Sequence, residues 1–215
     1  MNFIDMLFPG FCPVCGKRLP KYGVCQSCRS ELSKCSGVHS KSISAGTNTY
    51  KVYYLYPYKP DIIKKYIFAL KRTASGQLFE FAAEDIAKNL LSALKPDTYS
   101  ICNVPRKKLN VRKYGYDHAE KVCKRLEKYC SQPEISFCKI LTRRGFSREQ
   151  KYLDAYQRNK NVSGKFRVRK KCGAGKIILF DDVITTGSTF ISCAEEIKRV
   201  YGKDTEIIGM FICSN

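Results

Sequence analysis

The spacing of apolar positions changes period several times along the chain, from short runs to helical repeats and back. Val52 to Tyr56 is a strand-like aromatic run; Ile63, Ile67 and Leu70 then share one helical face, and Leu78, Ala82, Ile86, Leu90 and Leu94 share another. Tyr99 to Val104 reads as a strand that stops at Pro105, and Ala119, Val122, Cys123, Leu126, Tyr129 and Cys130 fall again at helical spacing. Further strands are expected around Ile135 to Leu141, at Phe166 to Val168, at Ile177 to Phe180 and at Ile207 to Ile212. Between the last two, Phe190, Cys193, Ala194, Ile197 and Val200 make a helical face. Strands alternating with helices predict an α/β fold, with a mainly parallel sheet covered on both faces. Ser36 to Thr49 is rich in Ser, Gly and Thr, has no apolar period, and is expected to be a linker. The chain therefore divides into a front module at 1–45 and a main domain at 46–215.

The front module is too short to bury a core, and its cysteines supply the alternative. Cys12-Pro13-Val14-Cys15 and Cys25-Gln26-Ser27-Cys28 are two C-x2-C knuckles separated by nine residues. Four thiolates on two such knuckles can converge on one tetrahedral zinc, whose binding then supplies most of the folding free energy of the segment. Cys35 and His39 follow closely and are expected to be spare rather than ligands. Twelve cysteines in total, most of them without knuckle spacing, favour reduced thiols over a secreted disulfide scaffold. Cys102, Cys123, Cys130, Cys138, Cys172, Cys193 and Cys213 are expected to serve as small apolar core residues.

Charge narrows the partners. Lys and Arg total 39 against 19 Asp and Glu, a formal charge of +20 over 215 residues, and the resulting field attracts polyanions such as nucleic acid. The basic residues cluster in Arg106-Lys107-Lys108, in Arg112-Lys113, in Arg143-Arg144 with Arg148, and in Arg167 to Lys171, interleaved with Tyr114, Tyr116, Phe146, Tyr152 and Tyr156. Such a mixture suits single-stranded DNA, whose phosphates meet the cations and whose bases stack on the rings. A solvated basic surface is the alternative. No apolar run approaches the ~18 residues needed to span a bilayer, so membrane insertion is not expected and the cytosol is the expected compartment. Gly173-Ala174-Gly175-Lys176 is followed by Ile177 where a nucleotide-binding P-loop needs Ser or Thr, which excludes that ATPase motif. His118 has only Asp117 beside it in sequence and reads as a surface or structural histidine.

Candidate chemistry concentrates after Phe180. Asp181-Asp182-Val183-Ile184 leads into Thr185-Thr186-Gly187-Ser188-Thr189 and then into the helical repeat. Free backbone N–H groups and the positive end of the dipole at a helix start attract phosphate, and a glycine permits close approach. Carboxylates beside such a cradle would repel a bare phosphate but suit ribose hydroxyls, so the pattern points to a phosphorylated sugar.

This stretch resembles the phosphoribosyl pyrophosphate (PRPP) signature of type I phosphoribosyltransferases. That resemblance implies their fold, with Asp181 and Asp182 on the ribose hydroxyls, Val183 beside them, and Thr185, Thr186, Gly187, Ser188 and Thr189 around the 5'-phosphate. It also implies magnesium bound with PRPP, and Arg106 and Lys107 on the diphosphate. The zinc knuckles, Val104-Pro105, Tyr114-Gly115-Tyr116-Asp117-His118-Ala119, Arg143-Arg144, Gln150 and Arg158-Asn159, taken in order, are similar to the ComF family of competence-linked, phosphoribosyltransferase-like proteins. In that family Arg-Gly-Phe-Asn-Gln-Ala is usual where this chain has Tyr114 to Ala119. The family implies DNA uptake or single-stranded DNA handling, other competence proteins as partners, and a lid from Arg143 to Gln150, with Arg143, Arg144 and Arg148 as DNA-binding candidates. Nucleobase phosphoribosyl transfer and PRPP-responsive regulation remain open beside that role.

Overall fold

The computed structural model describes residues 10–130, 133–144, 165–170, 172–173 and 175–215. Of the basic and aromatic candidates, Phe146, Arg148, Tyr152, Tyr156 and Lys171 lie outside these residues, as do Gln150 and Arg158-Asn159.

Six strands form the central sheet in the order β3-β4-β10-β9-β5-β6. They are β3 (His39–Ala45), β4 (Asn48–Pro57), β5 (Thr98–Asn103), β6 (Glu134–Phe137), β9 (Lys176–Ile184) and β10 (Glu206–Ser214). All neighbours are parallel except the β3–β4 hairpin. The predicted α/β architecture is therefore present. Because the centre of a parallel sheet is covered on both sides, its strands are apolar throughout rather than alternating. In β10 every residue after Glu206 is buried.

Side chains of β9 divide the two core layers. Ile178 and Phe180 enter the layer beneath α2 (Asp61–Arg72), α3 (Gly76–Asn89) and α5 (His118–Leu126), whereas Ile177 and Leu179 enter the layer beneath α6 (Ser188–Tyr201). Local chemistry sets the helix ends. Pro60 precedes α2, which opens on Asp61 and closes on Lys71 and Arg72, both matched to the helix dipole. Ser75 accepts a hydrogen bond from Leu78 N at 3.2 Å to start α3. A side chain at Gly209 of β10 would lie 2.8 Å from Val52 and 3.0 Å from Phe190, so its bareness lets α6 settle on the sheet.

Several expectations need correction. Ser36 to Thr49 is not a linker: β3 pairs with β4 through seven residues, from His39↔Tyr54 to Ala45↔Asn48. The residues have too little apolar character for a sequence pattern because an edge strand keeps one side in water. The expected strand over Ile135 to Leu141 is two strands, β6 and β7 (Leu141–Arg143), the latter pairing antiparallel with β8 (Phe166–Val168) away from the main sheet. The helix expected through Leu94 ends at Asn89, and a 3-10 turn at Leu91–Ala93 carries Leu91 into the core. Tyr129 and Cys130, read as the end of α5, lie on and after a second 3-10 turn at Glu127–Tyr129. A short helix, α4 (Lys108–Tyr114), went unread because it buries no residue and so carries no apolar period. Cys138 and Cys172 are paired as a disulfide rather than reduced. Cys102, Cys123, Cys193 and Cys213 are buried free thiols, as expected.

The front module is β1 (Gly10–Phe11), β2 (Arg18–Leu19) and α1 (Gln26–Cys35), with β1 and β2 antiparallel. Leu32 of α1 is fully buried in the layer that also holds Ile62 and Tyr66 of α2. Among the described residues, no helix is long and apolar enough to cross a membrane.

Candidate functional site

β9 is longer than the apolar run that announced it, and the acidic pair lies within its last residues, still paired with β10. Its pairing with β5 ends at Asn103↔Phe180, while pairing with β10 continues to Ser214↔Ile184. Asp181, Asp182 and Val183 therefore project beyond the carboxyl end of β5, the edge where parallel α/β sheets bind ligands. Val104 N donates to Phe180 O at 2.8 Å, after which Pro105 turns the chain away and leaves this edge open.

Asp182 is buried, and two cations of different kind meet it there. Its Oδ2 lies 2.7 Å from Lys71 Nζ, at the end of α2, and 3.2 Å from His118 Nε2, at the start of α5. His118 is positioned by its neighbour. Asp117 caps α5 by accepting from Ala119 N and Glu120 N, and it also accepts from Arg106 N at 2.9 Å and Asn103 Nδ2 at 3.2 Å. One carboxylate thus ties the exit of β5 to the first turn of α5. The proximity of His118 to Asp182 was invisible in sequence, where 64 positions separate them.

The electrostatics split the acidic pair. Burial works to raise Asp182, but His118 and Lys71 outweigh it and hold this carboxyl well below the usual range. Burial, reinforced by the charge of Asp182, pushes half-buried Asp181 well above its ordinary value. Burial alone would lower Lys71; the Asp182 carboxylate reverses that and raises it. The two carboxyls are thus pushed in opposite directions. Close as the contacts are, His118 Nδ1, His118 Nε2 and Asp182 Oδ2 make no directed hydrogen bond. Asp182 Oδ2 and His118 Nε2 are held by these ion-pair contacts, whereas His118 Nδ1 has no partner, and a buried polar group left so costs about 1–3 kcal/mol.

The polar loop takes the form expected of a cradle. Gly187 has φ +76 and caps α6, whose first backbone bond runs from Ile191 N to Gly187 O at 2.9 Å. The side chains of Thr185, Thr186, Ser188 and Thr189 are exposed around buried Gly187. Thr186 Oγ1 accepts from Ser188 N at 3.4 Å, a weak bond that a stronger anion can replace.

The β5 exit behaves differently from the simple basic loop that sequence suggests. Arg106 is half-buried; its guanidinium donates to Lys71 O at 2.9 Å and Tyr116 O at 3.3 Å and rests on the Tyr114 ring at 4.8 Å. It braces the end of α2 that delivers Lys71. Lys107 and Lys108 are exposed. Arg106, Lys108, Arg112, Lys121, Lys139 and Arg143 line a cleft of about 440 Å³ together with Asp117 and Glu120. Both acids are already engaged, Glu120 with Lys124 at 2.8 Å and Lys139 at 2.6 Å. The cleft is strongly basic and joins two clusters that lie 37 positions apart in sequence, Arg106 and Arg143. Arg143 lies over the Phe166 ring at 4.9 Å, and Arg144 at the end of the described segment is exposed.

The cysteine cluster forms as spaced. Cys12, Cys15, Cys25 and Cys28 bring their sulfurs within 4.8 Å of one another, with Cys12–Cys28 at 3.8 Å and Cys15–Cys25 at 3.6 Å. A tetrahedral zinc with bonds of about 2.3 Å separates its sulfurs by about 3.8 Å, so the four thiols fit that ion. Gly16, with φ +77, closes the first knuckle by donating to Cys12 O, and Cys25 caps α1. Burial works to raise Cys25, but the Ser27 hydroxyl, the Cys28 backbone and neighbouring thiols prevail and bring it to about 6, whereas burial and the other thiols push Cys28 well up. Cys35 and His39 stand outside the cluster; His39 stacks on Tyr54 at 5.1 Å.

With this geometry in hand, similarity to known proteins can be weighed. No family model matches the chain. Competence protein F of Haemophilus influenzae is 24% identical over 212 residues, covering 94% of this chain and 90% of that protein. The chain is ComF-like. A solved hypoxanthine phosphoribosyltransferase from Staphylococcus aureus is similar over 63% of this chain, at 11% identity and a TM-score of 0.31. The match spans about three fifths of that enzyme, 61% of its chain.

Proposed function

We propose that the protein binds PRPP, or a closely related phosphorylated ribose, at the junction of β9 and α6, and that it serves single-stranded DNA handling during DNA uptake in the cytosol. The observation that carries the first half is the exposed ring of Thr185, Thr186, Ser188 and Thr189 around left-handed Gly187, directly downstream of the Asp181–Asp182 carboxyl pair.

In this reading the first-turn N–H groups of α6 and the loop hydroxyls hold the 5'-phosphate. The Asp181 and Asp182 carboxyls meet the ribose hydroxyls. The exposed lysines 107 and 108 face the diphosphate, while Arg106 acts from behind them. Magnesium bound with PRPP would supply charge neutralisation at the diphosphate. The basic cleft and the adjoining Arg143 and Arg144 offer a path for a nucleic-acid backbone. Zinc in the four-cysteine cluster holds the front module, the proposed unit at 1–45, against α2.

Calorimetry with PRPP and magnesium tests the ligand. Asp182→Ala should lose at least about 1–3 kcal/mol of binding, the value of a hydrogen bond to a charged group. Thr186→Ala should lose less, because backbone N–H groups remain. Equal affinity of wild type and Asp182→Ala, or no binding by either, defeats the reading.

A further inference from the structure

Asp181, Asp182 and His118 place one donor atom each within 4.8 Å of one another. First-row cations bind nitrogen and oxygen at about 2.0–2.2 Å, so donors on one ion stand up to about 4.4 Å apart. His118 Nε2 and Asp182 Oδ2 already stand 3.2 Å apart, a spacing two ligands of one ion can keep, and Asp181 offers its donor within the same 4.8 Å. Burial makes the trio more than an acidic patch. The His118 side chain is only 6% exposed and Asp182 only 7%, and neither imidazole nitrogen nor Asp182 Oδ2 has a directed hydrogen bond. A buried imidazole whose Nδ1 has no partner and whose Nε2 faces a carboxylate at 3.2 Å, with a second carboxyl beside it, is a donor set that a divalent ion can use.

Lys71 explains how this site stays neutralised without a metal. Its ammonium sits 2.7 Å from Asp182 Oδ2, yet its side chain is 39% exposed, so the head can swing into water while His118 and Asp182 stay in place. We propose that His118 Nε2 and the carboxyls of Asp181 and Asp182 form a protein-held site for one divalent first-row transition cation, with the Lys71 ammonium as its displaceable stand-in. Imidazole among the donors favours zinc, iron, nickel or copper over magnesium, while the two carboxyls also suit manganese. The site needs no PRPP to form, although the same acids serve PRPP in the function proposed above.

The test uses the full-length, zinc-loaded protein and Mn2+ as probe, since manganese prefers oxygen and nitrogen donors to the thiolates of the cysteine cluster. Free Mn2+ is followed by electron paramagnetic resonance in a titration without PRPP. One ion per chain is expected. His118→Gln should weaken it at least tenfold, and Lys71→Met should tighten it severalfold, a gain that misfolding does not produce. The inference fails if no Mn2+ binds without PRPP, if His118→Gln changes nothing, or if Lys71→Met does not tighten binding. Failure with PRPP binding intact assigns the cation to the sugar diphosphate and spares the proposed function. Mn2+ binding that follows both variants as stated, in a protein indifferent to PRPP, upholds the metal site and removes that function.

Discussion

Ile43 of the edge strand β3 lies directly behind Gly187 of the cradle: a Cβ on Gly187 would come within 2.9 Å of Ile43 Cδ1 and 3.9 Å of Ile184 Cδ1. The segment that looks like a linker in sequence is therefore the back wall of the proposed phosphate site. Gly187→Ala pays twice, for left-handed backbone, at about 1–2 kcal/mol, and for the contact with Ile43. It should weaken PRPP binding at least several-fold in calorimetry. Adding Ile43→Val should recover only the packing part of the loss; full recovery would mean that the backbone of Gly187 is not what matters.

Zinc should copurify at about one ion per chain, since the thiol separations already match a tetrahedral site. Cys25→Ser should abolish it in elemental analysis. Strong chelation should lower amide protection in α1 far more than in β9 or β10, a pattern read by hydrogen exchange. An iron cluster, or no metal at all, refutes the assignment.

Asp85 and Tyr56 give a pH prediction remote from either site. Tyr56 OH donates to Asp85 Oδ2, and Asn89 Nδ2 donates to Asp85 Oδ1 at 3.0 Å. Burial raises Asp85 despite these bonds, which pull the other way. A raised carboxyl binds its proton more tightly folded than unfolded, so stability falls as pH climbs from about 4 through the folded value. Asp85→Asn keeps an acceptor for Tyr56 and removes this loss. Urea melts should show the stability of the variant relative to wild type rising between pH 3.5 and pH 8.

Single-stranded DNA should bind with little sequence preference if Arg143, Arg144 and Arg148 follow its phosphates. Replacing all three should weaken every sequence alike and reduce the salt slope by about 0.7 for each lost contact. An unchanged slope would move DNA binding elsewhere on this basic surface.

How much of this was legible follows from where each signal resides. The four cysteines lie close in sequence, so their spacing was enough to predict that they meet, and the loop proposed as a cradle is contiguous, so its glycine and hydroxyls were readable in the same way. The α/β class was equally readable because buried strands such as β10 are apolar at nearly every position. The Lys71–Asp182–His118 contact was not, since α2, α5 and β9 meet only after the sheet assembles. Arg106 shows the same limit in another form. Its charge was plain, but its donors are spent on Lys71 O and Tyr116 O, which no local pattern announces. Edge strand β3 hid behind Ser and Thr because water, rather than core, faces half of it.

The position of β10 between β4 and β9 constrains how the protein can be made. β4 emerges from the ribosome some 150 residues before the strand that will lie beside it, from Tyr53 to its partner Met210. Until Glu206–Ser214 is available, β4 and β9 each present an open parallel edge, and such long-range pairings close slowly. The growing chain must carry two unfinished half-sheets, each exposed to wrong pairing with other chains. Holding β4 capped by the β3 hairpin on one side halves that exposure during synthesis, long before the hairpin backs the cradle.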